Sequence, residues 1–300
     1  MIRKTVQNQN MPPRPRNPAE AVSDRRSDVQ DERLERVARL LIWEGRLSRA
    51  RLMEQFGLSG TRASEWLKEF REARPEWVEW DSRLRSLVTT RAAYRAIEKS
   101  EAAAVELMGG AEPDIGVLDG DSALILPWDF SRVSPYVFSR LRLAIKDGVR
   151  VGFSYSSMSR PTVHTRVIEP HSIIRAGRRW HVRGYCVERQ DFRDFVLGRM
   201  SDVLLTQKAS SHGSAEDAKW NRSVKVRLVA HPALSAEQMQ LVRREYFAGT
   251  AARSTTVRGP LVPYFIQELR AATDVERQLP PDYQLALDNR EECKEWLFPT

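Results

Sequence analysis

Apolar residues in the first quarter of the chain recur at every third or fourth position, which is the spacing of helices that bury one face. The first predicted helix begins at Glu32 and ends at Gly45. The second follows an N-cap at Ser48, and the third begins at Ser59 or Gly60. The predicted buried positions are Leu34, Val37, Ala38, Leu41, Ile42, Leu52, Met53, Phe56, Ala63, Trp66, Leu67 and Phe70.

Two short alternating runs follow the third helix. Residues 77–80 and 84–88 flank a turn at Asp81-Ser82-Arg83, which predicts a β-hairpin. Two short helices around a glycine-containing turn, a flanking helix and a hairpin form a winged helix-turn-helix, which lays its second helix in the major groove of DNA. Three helices and a hairpin also occur in protein–protein modules, so both interpretations stay open.

If this module binds DNA, its outward polar side chains make the contacts. Side chains of the third helix would read base edges, while cations on the hairpin and on the second helix would bind phosphates or the minor groove. These candidate DNA-binding residues are Arg49, Arg51, Thr61, Arg62, Ser64, Glu65, Lys68, Arg83 and Arg85.

The second half of the chain changes to the alternation typical of strands. After a helix that Ser134-Pro135 opens, six runs separated by turn residues predict a small β-barrel or sandwich. These predicted strands are at 149–155, 162–169, 171–175, 179–187, 192–197 and 203–207. The last block carries two strands, at 224–229 and near 255–257, and two helices, at 235–246 and 262–272. It predicts a small α/β unit, so the expected fold class is α+β with several domains.

Composition excludes several classes of protein. No stretch is long and apolar enough to span a membrane, and the polar N-terminus lacks the apolar block of a secretory signal. Two cysteines, Cys186 and Cys293, rule out a disulfide framework and any four-cysteine zinc module. We therefore expect a cytoplasmic protein that is associated with the nucleoid when it binds DNA.

The net charge of +8 is unevenly distributed. It is +6 over residues 1–95, −7 over 96–130, +9 over 131–210 and zero over 211–300. Two basic blocks separated by an acidic connector suit polyanionic partners. An arginine bias of the genome would explain the choice of arginine over lysine, but it would not explain this segregation.

The second basic block interleaves arginines with aromatic residues at strand period. A concave face that carries Tyr155, His171, Arg193 and Arg199 would bind an anion or a nucleotide through arginine–phosphate contacts and stacking. The alternative is that these arginines form the solvated outer face of the barrel.

Catalytic motifs are missing from the sequence. The five histidines show no HExxH spacing or paired-cysteine context, the serines lack a GxSxG setting, and the basic block is poor in the clustered carboxylates of metal-dependent nucleases. We therefore expect no enzyme activity, no metal and no cofactor.

Residues 150–203 resemble the WYL domain of bacterial transcription regulators. The name-giving triplet is Trp180-His181-Val182 here, so only its tryptophan is retained. The segments that carry the resemblance are Phe153-Ser154-Tyr155, Glu169-Pro170-His171-Ser172-Ile173, Trp180-His181-Val182-Arg183-Gly184-Tyr185, Arg193-Asp194-Phe195 and Leu197-Gly198-Arg199-Met200. The order of parts, with a winged helix first and a C-terminal extension last, is similar to the BrxR/CapW type of repressor.

This resemblance implies properties beyond those of the residues alone. It implies a central Sm-like, SH3-type β-barrel that senses a nucleic-acid or nucleotide effector, and a homodimer that binds inverted repeats at an anti-phage defence locus. The implied effector-binding residues are Ser154, Tyr155, His171, Arg193 and Arg199.

The expected domains follow from the pattern and the resemblance together. They are a flexible arm at 1–31, a winged helix-turn-helix at 32–95, a helical linker at 96–130, a WYL sensor domain at 131–208, a polar linker at 209–222 and a C-terminal α/β dimerisation domain at 223–300. The expected function is a repressor released from its operator by the effector. A transcriptional activator of the same architecture, or a non-specific binder of RNA or single strands, remains the alternative.

Overall fold

The computed structural model describes residues 18–98, 133–176 and 179–298, with side chains from residue 30 onward. The described residues divide into two compact units. The first contains the described residues up to Ile42 together with Arg46–Ala96, and the second contains Trp43–Gly45 and the described residues from Ile97 onward. No helix within the described ranges is both long and apolar enough to cross a membrane.

The first unit contains the predicted winged helix-turn-helix. Its elements are α1 (Pro18–Glu44), β1 (Arg46–Ser48), α2 (Arg49–Phe56), α3 (Gly60–Ala73), β2 (Val78–Asp81), β3 (Ser86–Thr89) and α4 (Arg91–Glu98). The three strands form an antiparallel sheet in the order β1-β3-β2. The hairpin and the three helices were predicted, whereas the short strand β1 was not.

The helix α1 extends further toward the N-terminus than expected. It begins at Pro18, so residues 18–31, which were assigned to a flexible arm, are helical. Proline is tolerated there because the first residues of a helix donate no hydrogen bond within it. The rest of the arm, residues 1–17, lies outside the described residues, as does most of the predicted linker at 96–130.

The core of the first unit follows the predicted apolar stripes with one correction. Leu52 on α2 is fully buried, but Met53, which was also predicted to be buried, is 37% exposed. Consecutive helical residues point about 100° apart, so the face centred on Leu52 does not include its neighbour. The buried core residues are Val37, Ala38, Leu41, Leu47, Leu52, Ala63, Trp66, Leu67, Phe70, Val78 and Leu87.

The second unit begins with a helix packed on a five-stranded antiparallel sheet. Its elements are α5 (Pro135–Asp147), β4 (Val149–Tyr155), β5 (His164–Ala176), β6 (Arg179–Cys186), β7 (Asp191–Val196) and β8 (Met200–Ala209). The strand order is β7-β6-β5-β4-β8. Within the described residues no pairing joins the edge strands β7 and β8, so the closed Sm-like barrel is not confirmed.

Two predicted strands, at 162–169 and 171–175, are one continuous strand in the structure. Strand β5 runs through Pro170, and its register against β6 shifts between Pro170 and Ser172. Such a bulge keeps the strand paired while it changes which side chains face each side of the sheet. On β6 the alternation sends Val182 into the core and Arg183 to the opposite face.

The C-terminal part of this unit is the predicted small α/β domain. Its elements are α6 (Ala218–Asn221), β9 (Ser223–Ala230), α7 (Ala236–Phe247), β10 (Ala252–Arg258), α8 (Val262–Glu268), β11 (Ala271–Ala272), β12 (Leu285–Leu287) and α9 (Arg290–Cys293). The sheet order is β10-β9-β12-β11. The helix predicted to reach residue 272 ends at Glu268, since Arg270 adopts a positive φ of 48° and β11 follows.

Residues 209–222, which were predicted to be a polar linker, are packed into the structure. Asp217 and Trp220 are buried, with 1% and 9% of their surface exposed. Asp217 caps α6 by accepting a hydrogen bond from the backbone N–H of Trp220 at 3.0 Å. Because this segment supplies a buried carboxylate to the sheet, it belongs to the site described below.

Candidate nucleic-acid interface and ligand pocket

The turn between α2 and α3 is built by two residues with specific backbone roles. Gly57 ends α2 in the left-handed region, at φ 63°, where side chains are disfavoured. Ser59 caps α3, because its Oγ accepts a hydrogen bond from the backbone N–H of Arg62 at 3.3 Å. The start of α3 is thus held by a short, specific turn.

The polar residues predicted to read base edges all lie on the exposed side of α3. Ala63, Trp66 and Leu67 are buried between them, so the helix has one apolar and one polar face. The exposed residues are Thr61, Arg62, Ser64, Glu65 and Lys68. Such a face, at the start of the second helix of this motif, has the geometry required for the major groove.

The predicted cations of the hairpin and of α2 are also placed on the first unit. Arg83 and Arg85 are exposed in the turn of the hairpin, where Asp81 Oδ1 accepts a hydrogen bond from the backbone N–H of Leu84 at 2.9 Å. Arg49 is exposed at the start of α2, and Arg51 is partly buried with its Nη1 2.9 Å from a carboxylate of the same helix. These positions suit contacts to a phosphate backbone.

A buried arginine organises the outer face of the five-stranded sheet. The guanidinium of Arg183 donates two hydrogen bonds to Asp217, from Nε to Oδ2 at 2.6 Å and from Nη2 to Oδ1 at 3.2 Å. Its Nη1 donates a third to Asp194 Oδ1 at 2.9 Å. Burial is the largest single effect and would raise the pKa of Asp217, but the hydrogen bonds from Arg183, Trp220 and His171, together with the charge of Arg183, outweigh it and hold the pKa below its ordinary value.

His171 joins this network as a neutral side chain. Its Nε2 lies 3.2 Å from Asp217 Oδ2, and its Nδ1 lies 2.9 Å from Ser172 Oγ. Burial lowers the pKa of His171 more strongly than the neighbouring carboxylate raises it. The neutral form is therefore favoured in the folded protein near pH 7.

The network extends to the C-terminal domain through Tyr264 on α8. Its hydroxyl donates to Asp194 Oδ2 at 3.3 Å, and its ring lies 4.8 Å from the ring of His181. Burial, together with the charge of Asp194, raises the pKa of this phenol far above its usual range. Tyr264 is thus a permanent donor that ties α8 to β7.

A second buried carboxylate, Glu169 on β5, holds the start of the 209–222 segment. Its Oε2 accepts from the backbone N–H groups of Ser211 and His212 at 2.9 and 2.6 Å, and Nη2 of Arg150 lies 2.7 Å from its Oε1. Burial would raise the pKa of Glu169, but the pKa is lowered overall. The hydrogen bonds from His212 contribute most to this lowering, followed by the hydrogen bond from Ser211 and the charge of Arg150. The ring of Tyr185 stacks on that of His212 at 3.8 Å.

A pocket of about 440 Å³ lies beside this network, where the five-stranded sheet, the 209–222 segment and the C-terminal domain meet. All three parts belong to the second unit. The pocket combines aromatic rings with charges of both signs. Its lining residues are Arg183, Phe192, Asp194, Ala218, Lys219, Arg222, Pro260, Tyr264, Glu295, Trp296 and Phe298.

The predicted effector-binding residues occupy different surroundings. Tyr155 lies in the core, where its hydroxyl accepts from the backbone N–H of Val196 at 3.2 Å, while Ser154 points to the other side of β4. Arg193 is 53% exposed with Nη2 3.8 Å from Asp191, and Arg199 is half-buried in a 3-10 turn. Only His171 belongs to the buried network.

The other members of the buried network were not predicted as site residues; they are Arg183, Asp194, Asp217 and Tyr264. Arg183 and Asp194 occupy facing positions on the paired strands β6 and β7. The alternation of side chains along these two strands could therefore have indicated that both residues lie on the same face of the sheet. Asp217 and Tyr264 come from distant segments that nothing local connects to the sheet. No cluster of three or more His, Cys, Asp or Glu residues in the described ranges could hold a metal ion.

Three parts of the chain match known families. Residues 29–103 match the BrxR transcriptional regulator winged helix-turn-helix domain, residues 136–205 the WYL domain, and residues 223–293 the BrxR transcriptional regulator C-terminal dimerization domain. These matches follow the order of parts found in the structure.

Whole-chain relatives agree with these matches. The DNA-binding transcriptional repressor CapW of Escherichia coli strain KTE188 is 31% identical over 272 residues, which cover 88% of this chain and 90% of the relative. CapW of Pseudomonas aeruginosa is 30% identical over 280 residues, covering 89% and 91%. A proteasome accessory factor B/C structure of Arthrobacter aurescens is 16% identical and covers 88% of this chain and 47% of its own, at a TM-score of 0.26 that is too low to compare folds. The chain therefore belongs to the BrxR/CapW family of WYL-domain transcriptional regulators.

Proposed function

We propose that this chain is a homodimeric, sequence-specific DNA-binding repressor of an anti-phage defence locus, released from its operator by a nucleic-acid or nucleotide effector. The observation that carries the proposal is the polar face at the capped start of α3, with Arg62 and Lys68 exposed above the buried Trp66. The exposed arginines of the hairpin supply cations for phosphates beside that face. CapW relatives are named DNA-binding transcriptional repressors, which supports the same function here.

The operator is expected to be an inverted repeat because the active species is expected to be a homodimer. Two winged helices related by a two-fold axis read major grooves about 34 Å apart, so the half-sites repeat one helical turn apart in opposite directions. The match of residues 223–293 to a dimerization domain supports this assembly.

The binding test uses the full-length protein and the inverted repeat upstream of its own gene. Fluorescence anisotropy should give an affinity about 10³-fold or more above that for random duplex, RNA or single strands. Equal binding to all four nucleic acids would instead indicate the non-specific binder.

Two substitutions distinguish base reading from phosphate contacts. Arg62→Ala should weaken operator binding by about 1–3 kcal/mol and relax the sequence preference, while Arg83→Ala should weaken all duplexes alike and reduce the salt slope by about one. The control is Arg277→Ala, which removes the same charge from a side chain of the second unit that is 86% exposed. If the control weakens binding as much as Arg62→Ala, α3 is not the reading element.

The effector response and the sign of regulation have separate readouts. Arg193→Gln should abolish induction and spare operator binding, because Arg193 is an exposed cation of the sensor sheet and not of the first unit.

Deletion of the gene should raise transcription of the neighbouring defence genes. A fall in transcription would identify an activator.

A further inference from the structure

The turn of the β2-β3 hairpin presents an apolar side chain between two cations. Leu84 is 46% exposed, and its neighbours Arg83 and Arg85 are exposed as well. Transfer of such a side chain from water to an apolar surrounding is favourable. Single exposed leucines are common on protein surfaces, so the meaning of this one depends on its position and on the residues around it.

Charge is segregated along the hairpin. Both of its carboxylates, Glu79 and Asp81, are on strand β2, whereas Arg83 and Arg85 give the turn two positive charges. The turn is therefore the part of the hairpin that the phosphates of DNA attract. Trp80, the other well-exposed apolar side chain of the hairpin, lies between the two carboxylates, where phosphates are repelled.

The backbone of the turn holds Leu84 in a fixed position. Asp81, whose Oδ1 accepts from the Leu84 N–H, pairs with Ser86 at the last position of the two strands. Arg85 adopts the left-handed conformation at φ 48°, which is unfavourable for a residue with a side chain. Unfavourable backbone of this kind is common at functional sites, and here it carries a cation next to Leu84.

The minor groove of DNA is the surface that suits this turn. It is about 6 Å wide, too narrow for a helix, and its negative potential attracts arginine side chains. Proteins that bind it frequently insert a leucine or another apolar side chain between two base pairs, which unstacks them and bends the duplex. The hairpin follows α3 in the chain, so we expect it beside the major groove that α3 reads.

We propose that Leu84 enters the minor groove as an apolar wedge between two base pairs, while Arg83 and Arg85 bind the phosphates on either side. This role rests on the proposed binding of an operator by a homodimer, which gives one wedge for each half-site. Pyrimidine–purine steps are the easiest to unstack. Leu84 thus adds a preference for such a step to the sequence read by α3, without a hydrogen bond to any base.

Bending is measured with the full-length protein on the inverted repeat upstream of its own gene, with a donor and an acceptor dye at the two ends of the duplex. The wild type should raise energy transfer through a bend of about 20–90°. Leu84→Ala should reduce this bend and weaken binding about tenfold. The salt slope should stay unchanged because no charge is removed, in contrast to Arg83→Ala.

The matched control is Leu204→Ala. It removes the same atoms from a side chain of β8 in the second unit that is 60% exposed, and it should leave the affinity and the bend unchanged. Leu84→Met keeps an apolar side chain in the turn and should retain most of the bend. Thermal unfolding of each variant verifies that it is folded.

Insertion itself is detected with 2-aminopurine, a base analogue whose fluorescence rises when it is unstacked. The probe is placed at successive positions across one half-site. It should brighten at one step with the wild type and not with Leu84→Ala. Replacement of that step by a stiff AA step should weaken the wild type about tenfold and Leu84→Ala much less.

The outcomes separate the wedge from the proposed function. If Leu84→Ala bends the operator as much as the wild type does, or if no probe position brightens, Leu84 is not a wedge, although operator binding stands. If random duplex is bound as tightly as the operator and Leu84→Ala still reduces the bend, the sequence-specific repressor fails while the wedge stands. If no duplex is bound, both are refuted.

Discussion

Gly184 on β6 lies where the backbone of β5 approaches closely. A Cβ atom at this position would meet the carbonyl oxygen of Glu169 at 2.6 Å and the Cα of Pro170 at 2.8 Å. Both neighbours are backbone atoms beside the bulge, so they cannot rotate away as a flexible side chain would.

We predict that Gly184→Ala lowers the free energy of unfolding by roughly 1–3 kcal/mol, the usual cost of overpacking. Urea unfolding followed by circular dichroism measures the change. The matched control is Gly152→Ala on β4 of the same sheet, where the nearest atom is a carbonyl oxygen 4.0 Å away. Equal losses in the two variants would show that lost glycine flexibility, and not the close approach, determines the effect.

Two buried histidines give the stability a pH dependence near neutrality. Burial lowers the pKa of His181 and of His171, although carboxylates oppose the shift at both. The unfolded chain, with its ordinary histidine pKa of about 6.5, therefore binds more protons than the folded chain as the pH falls. The stabilisation is complete above this value and is lost progressively below it.

The urea concentration at the midpoint of unfolding should therefore decrease as the pH is lowered from about 7.5 to about 5.5. His181→Gln should flatten this dependence, because it removes one of the two groups that must be protonated on unfolding. Arg179 and Arg199 lie close enough to His181 to disfavour its charged form, whereas Asp194 favours it. A slope that the substitution leaves unchanged would assign the effect to other groups.

For individual residues, the sequence indicated which side chains are buried but not which buried charges pair with each other. The spacing of Leu52, Ala63 and Trp66 was sufficient to predict their burial. Arg183 and Asp217 are 34 positions apart, and their contact depends on how a polar segment folds back on the sheet. No local period encodes such a pairing.

The start of helix α3 is stabilised by an N-cap, Ser59, that can be recognised in the sequence. Ser59 Oγ is the acceptor for the N–H of Arg62, so Ser59→Ala leaves that donor without a partner in the protein. We predict a loss of about 1 kcal/mol in the unfolding free energy of the first unit. Thermal unfolding detects it. Ser82→Ala, in the exposed hairpin turn, is the matched control, and an equal loss there would contradict the capping role.

Long periodic elements were predictable, whereas very short strands were not. Helices α1 to α3 and strand β4 have several turns or alternations that mark their type. Strands β1 and β12 have only three residues each and exist because a neighbouring strand pairs with them. Pairing of this kind is a tertiary effect, so local propensity does not reveal it. The closed barrel expected from resemblance depends on the same kind of long-range pairing.

For the molecule as a whole, the sequence indicated the order of domains, while the connection between two of them was misread. The polar composition of residues 209–222 resembles a linker, and polarity alone does not distinguish solvated residues from those that satisfy a buried charge. Asp217 is of the second kind, since its side chain is 1% exposed and faces a 5% exposed Arg183.

We therefore predict that Asp217→Asn destabilises the second unit by roughly 3 kcal/mol or more, because removal of one partner leaves a buried guanidinium incompletely paired. Asp191→Asn, which alters a 45% exposed carboxylate 3.8 Å from Arg193, should cost at most about 1 kcal/mol. Chemical unfolding of both variants tests this difference. Similar small losses would mean that Asp194 alone is sufficient to neutralise Arg183.

The position of Asp217 also constrains how such genes can recombine. A crossover just after residue 205, where the WYL match ends, would give the five-stranded sheet a foreign downstream sequence and leave Arg183 without its main counter-ion. Descendants of that event would survive only if the incoming sequence supplied a carboxylate at the same place. The WYL and C-terminal parts should therefore be inherited together, with the exchangeable boundary lying upstream of the WYL part, on the side of the DNA-binding unit.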